Sequence, residues 1–183
     1  MSQLTKELIQ KYISNPKVIL EFGSYDGMDA IRYKNYFSKA FIYVMEADPT
    51  MFEKVKKNIN NKEEIYIFHY AISNKTGIID FYESKFIKDI SGKKSGDPSF
   101  AGSLYRVLDS AIENQDFQVF SEIPIKVPTI TIEDFCKQQK ITQIDFAKCI
   151  KKHDDRKTFF LFDIPWNKGF YDQKFSMFNR KSV

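Results

Sequence analysis

Short apolar runs alternate with amphipathic stretches through the first 80 residues. Leu4, Leu8, Ile9 and Tyr12 share one helical face, which predicts a short opening helix that Asn15-Pro16 ends. Val18-Ile19-Leu20-Glu21-Phe22 has the length of a buried strand, and Gly23-Ser24-Tyr25-Asp26-Gly27 then turns sharply. Residues Met28 to Phe37 suit a helix. Phe41 to Met45 reads as a second buried strand, ended by Glu46. Asp48-Pro49 is a strong helix start, with an N-capping carboxylate and a proline at the first helical position. Phe52, Val55 and Ile59 supply that helix's apolar stripe, and Ile65 to Ile72 predicts a third strand.

Strand, helix, strand, helix, strand at this spacing implies crossover connections and a parallel sheet. Beyond it, Asn74 to Gly77 predicts a turn into a locally pairing strand over Ile78–Tyr82. Ser84 to Ser103 has glycines, lysines and a proline without periodicity, which predicts a mobile surface loop. Ile125 to Ile130 is extended, Thr131-Ile132-Glu133-Asp134 forms a capping box for a helix carrying Phe135 and Cys136, and Ile144 to Ala147 begins another strand. No internal repeat is present. The fold class is α/β, a mostly parallel Rossmann-like sheet.

Composition narrows the class. The 183 residues are 43% hydrophobic and 28% charged, enough for one domain with a core. No apolar run reaches the roughly 18 residues of a membrane span, and Met1 to Glu7 lacks a secretory signal pattern, so a cytoplasmic protein is expected. Cys136 and Cys149 form no metal-binding spacing and read as small buried apolar residues. The net charge is +4, and its location matters more than its size. Eight of the 28 Lys/Arg and four of the 24 Asp/Glu fall in residues 149–183, leaving 20 of each sign before them. The balanced body argues against a nucleic-acid groove.

The candidate chemistry sits at the ends of the first two strands. In an open parallel sheet, ligands bind beyond the carboxyl ends of strands where the strand order switches. Gly23 lets the backbone approach a ligand closely, Gly27 permits a tight entry into the helix, and Glu21 can meet an ammonium. Two glycines are one fewer than a dinucleotide fingerprint requires. Glu46, 19 residues after Gly27, can accept ribose hydroxyls.

Several segments, in order, resemble the FkbM-type methyltransferase family over residues 18–148. They are Val18 to Gly27, Glu46-Ala-Asp-Pro to Asn58, Ala71 to Phe81, Ala101-Gly-Ser-Leu104, Val127 to Phe135 and Ile144-Asp-Phe-Ala-Lys148. The resemblance implies methyl transfer from S-adenosylmethionine to a hydroxyl of a sugar or small metabolite. It places Glu21, Gly23 and Gly27 around the methionine end, with Ser24 and Tyr25 in the same loop. Glu46 and Ala47 would flank the ribose, and His69, Tyr70 and Ala71 would lie near the adenine edge. The cysteine and histidine spacing predicts no metal site, and the oligomeric state is open.

The family pattern stops at Lys148. An aliphatic residue, an Asp and a Glu-Gly or Gln-Gly pair are expected there, but Cys149-Ile150-Lys151-Lys152-His153 follow. Residues 149–183 therefore read as a divergent basic, Phe-rich tail, as a truncation or a reading-frame change near Cys149 would produce. A rival motif lies inside it: Thr158 to Trp166 ends in Asp-x-Pro-aromatic, faintly like the target-nitrogen motif of amino-methyltransferases. Candidate general bases are Asp145, His69 and His153. The alternatives to an active enzyme are a degenerate cofactor-binding module and a non-functional remnant with an unpaired sheet edge.

Overall fold

A computed structural model describes residues 5–60, 62–90, 92–99, 102–105, 117–150 and 158–165; for 149–150 and 158–165 it describes the backbone alone. Leu4, Ala101, His153 and Trp166 lie outside these ranges. Five strands form the main sheet: β1 (Val18–Phe22), β2 (Phe41–Met45), β3 (Ile65–Phe68), β9 (Gln143–Ile150) and β10 (Thr158–Pro165), in the order β10-β9-β1-β2-β3. β9, β1, β2 and β3 are parallel, and β10 is antiparallel to β9. This order, outward from β1 to β3 and then back to β1's other side, is Rossmann-like.

The helices α2 (Met28–Tyr36) and α3 (Pro49–Ile59) are the two crossovers, and α1 (Lys6–Gln10) precedes them. Ile9, Ile19, Ala30, Tyr33, Ile42, Val44, Val55, Ile59 and Phe146 pack together, so α1, α2 and α3 cover one face. Leu20, Phe22, Met45, Phe135, Cys136, Ile144 and Ala147 form the core of the opposite face, under α4 (Ile132–Gln139). Cys136 is a buried core thiol as expected, and burial pushes its pKa up to about 12.

Local signals explain the boundaries. Asp48 Oδ1 accepts from Thr50 N and Met51 N, and Thr131 Oγ1 accepts from Asp134 N. The capping box is not closed by Asp134 itself; Asp134 and the Thr131 amide both bond to the Thr76 hydroxyl. On α3 the buried stripe is Met51, Val55 and Ile59, whereas Phe52 is half-buried and stacks on His69. α1 ends at Gln10, before Asn15-Pro16, because only Ile9 is buried to hold it.

Three expectations are corrected by non-local pairing. The strand read over Ile65–Ile72 divides, because β2 ends opposite Phe68; β4 (Ala71–Ile72) joins a second sheet, β4-β8-β5. There β5 (Gly77–Phe81) pairs antiparallel with β8 (Ile125–Ile130), not locally. The segment Ser84–Ser103 is not a featureless loop where it is described. β6 (Ser84–Phe86) pairs with β7 (Gln118–Phe120), and buried Ser84, Ser99 and Gln118 bond in a chain. Phe81 occupies the place a side chain at Gly102 would need, which ties this segment to the second sheet.

Candidate functional site

Beyond the carboxyl ends of β1 and β2 the chain makes two closely braced turns. Gly23 has φ +75° and Gly27 φ +77°, backbone that L side chains seldom adopt. They differ in surroundings. A Cβ on Gly27 would meet Ile59 and Val55 side chains at 3.2–3.3 Å, so this glycine lets α3 pack against the loop. A Cβ on Gly23 would meet nothing within 4 Å, so open space stands before that backbone.

Glu46, buried at the end of β2, ties the loop down. Its Oε2 accepts from Tyr25 N at 2.7 Å and its Oε1 from Asp48 N at 3.0 Å. Burial raises its pKa, and these amide bonds oppose the rise. The Ala47 amide acts on the same carboxylate, so three backbone N–H groups meet about four acceptor sites and the brace retains some acceptor capacity. Tyr25 sits at φ +60° under this restraint.

Glu21 is completely buried. It stands opposite Lys148 in the β1–β9 register, so the two side chains leave the same face. Lys148 Nζ reaches Glu21 Oε1 at 3.1 Å and also bonds Asp29, which pairs with Arg32 at 2.6 Å. Burial pushes the Glu21 pKa up to about 7 despite the opposing ammonium, while Asp29 adds to the rise. Burial alone would lower the Lys148 pKa, yet it is raised because Glu21 and Asp29 together outweigh that penalty. Lys148 is therefore the fixed cation of the group. Glu21 Oε2 and Ser24 Oγ are buried with no hydrogen-bond partner among the described residues. Unpaired buried polar atoms are costly, so two beside an open glycine turn mark a place where a polar ligand fits.

The structure brings Glu21, Gly23, Ser24, Tyr25, Gly27 and Glu46 together around one loop. Ala47 packs against a cluster of Ala71, Phe81 and Val127, and Tyr70 packs against the Leu20–Met45 cluster. Ala71 thus lies in the second sheet. Lys148 and Asp29 escaped the sequence reading; a lysine within a buried strand was the available signal. Two candidate bases are structural instead. Asp145 Oδ2 accepts from Lys17 N and Val18 N at the amino end of β1, and Oδ1 from Gln143 Nε2. His69 stacks on Phe52, and its Nε2–H donates to Ala47 O at 3.0 Å. The rival Asp-x-Pro motif is also misplaced. Pro165 pairs with Gln143, roughly 17 Å along the sheet from Lys148 at about 3.3 Å per residue.

A parallel α/β sheet with a glycine turn between two strand-end carboxylates puts the candidate site where open sheets of this kind bind ligands, beyond the carboxyl ends of the strands. No protein-family profile matches the chain. Over 128 residues it is 32% identical to the 2-O-methyltransferase NoeI of Sinorhizobium fredii (strain NBRC 101917 / NGR234), a match covering 70% of this chain and 50% of that protein. The chain is thus related by sequence to a methyltransferase and spans about half its length. A solved structure from Staphylococcus aureus, provisionally named a caffeoyl-CoA O-methyltransferase, overlaps 37% of this chain and 35% of its own, with 25% identity and a TM-score of 0.33. No helix among the described residues is long and apolar enough to cross a membrane.

Proposed function

We propose that the chain is an S-adenosylmethionine-dependent O-methyltransferase of the FkbM type, acting in the cytoplasm on a hydroxyl of a sugar or other small molecule. The observation that carries this reading is the pair of unpartnered buried atoms, Glu21 Oε2 and Ser24 Oγ, beside the open face of Gly23. A carboxylate oxygen there suits the cofactor's ammonium, and Glu46's remaining acceptor capacity suits a ribose hydroxyl. The sequence relationship to a 2-O-methyltransferase supports the same chemistry. The cofactor supplies an electrophilic methyl group; this chain's residues orient the acceptor hydroxyl and exclude water. Titration with S-adenosylhomocysteine tests it. Binding is expected, weakened at least about tenfold in Glu46→Ala; absence of binding to the native chain overturns the reading.

One observation favours a second reading, a cofactor-binding domain without transfer. Both described base candidates, Asp145 and His69, are committed to backbone groups. Such a domain would bind S-adenosylhomocysteine and transfer no methyl group to any hydroxyl in a sugar panel.

A further inference from the structure

A cavity of about 320 Å³ opens beside the same loop, between the first turns of α3 and residues 92–98. Its size is at the small end of ligand pockets. Tyr25, Thr50, Lys54, Lys93 and Asp97 line it. Lys54 Nζ lies 5.0 Å and Lys93 Nζ 5.1 Å from the centre of the Tyr25 ring. The two lysines come from separate segments, both are half-buried, and among the described residues neither has a carboxylate partner. The neighbouring charges are otherwise engaged. Lys94 pairs with Asp89 at 2.6 Å, and Asp97 Oδ2 accepts from Lys94 N at 2.9 Å.

Two ammonium groups around one phenol ring, with a single carboxylate among the described lining residues and that one tied into its own turn, leave the cavity electropositive. An aromatic face holds a cation only weakly when water has access, whereas an anion offers a charge-assisted hydrogen bond. The ring itself can carry the apolar face of a small cyclic molecule. Tyr25 is held by Glu46 through its amide, so the cavity shares a wall with the candidate cofactor loop.

We propose that this cavity is the acceptor subsite, and that it takes an anionic hydroxyl compound, a sugar or similar small ring bearing a carboxylate or a phosphate. The acceptor role rests on the methyltransferase reading; the preference for an anion rests on Lys54, Lys93 and Tyr25 alone. Calorimetric titration of the full chain with glucuronate, glucose 6-phosphate and glucose, each with and without saturating S-adenosylhomocysteine, tests it. Binding of one or both anionic sugars but not glucose is expected, and the stronger arm names the acid. Lys54→Ala/Lys93→Ala should weaken that binding about tenfold or more, and Lys54→Arg/Lys93→Arg should keep it. Equal binding of glucose, no binding of either anion, or unchanged affinity in a folded double-alanine chain overturns the proposal. So does displacement of the anion by S-adenosylhomocysteine, because the lysines would then serve the cofactor's own carboxylate. Anion binding without S-adenosylhomocysteine binding leaves the anion site standing and removes the methyltransferase reading.

Discussion

Glu21 heads a chain of ion pairs that runs to buried Lys148, then partly exposed Asp29, then Arg32 through Asp29, and the Glu46 charge also acts on it. With Glu21 ionised the four side chains balance; with Glu21 protonated they carry an excess positive charge. Its pKa, raised from 4.5 to about 7, means that the folded chain holds this proton more tightly than the unfolded chain. Glu21's contribution to stability therefore falls as pH rises from about 4.5 to about 7, and is flat above. A ligand ammonium needs the ionised carboxylate, so affinity should run the other way. S-adenosylhomocysteine binding should strengthen roughly five- to tenfold from pH 6 to pH 8, and Glu21→Gln should bind weakly with no such dependence. Calorimetry at both pH values checks this. A native chain with pH-independent affinity would place the ammonium elsewhere than at Glu21.

The elements nearest the site were legible because short-range chemistry sets them. Five-residue apolar runs defined β1 and β2 to the residue, and Asp48-Pro49 defined the start of α3. The second sheet was not legible: Gly77 pairs with Thr129 across 52 residues, and no local pattern encodes that choice of partner. Asp145 shows the same division. Its place at the start of β9 was readable, while its clamp on Lys17 N and Val18 N depends on β9 lying beside β1. The clamp joins the two strands at the end away from the site. Asp145→Ala should cost about 2 kcal/mol and lower the Tm by roughly 4–8 °C, while S-adenosylhomocysteine affinity stays within twofold of native. Thermal melts and calorimetry together check it. A large loss of affinity at unchanged Tm would return Asp145 to the site.

Across the whole molecule, the decisive strand is the one after the family resemblance ends. Only residues 151–157 separate β9 from β10. A parallel return needs a crossover of a dozen or more residues, so a seven-residue link confines β10 to antiparallel pairing. That pairing runs from Thr158 opposite Ile150 to Pro165 opposite Gln143 and covers the edge of β9. The sheet's edge on this side is thereby moved from β9 to β10, and Lys148, in the middle of the site, lies on the strand so covered. A chain ending at residue 157 exposes the backbone groups of β9 on the side away from β1. Exposed edges of that kind recruit other chains. The shortened chain should lose several degrees of Tm and elute partly as oligomers in size-exclusion chromatography, with weaker S-adenosylhomocysteine binding because Lys148 no longer sits on a fixed strand. A shortened chain that elutes as the full one does, with native Tm and affinity, would show that β9 and the Glu21–Lys148 pair are held by β1 and α2 alone.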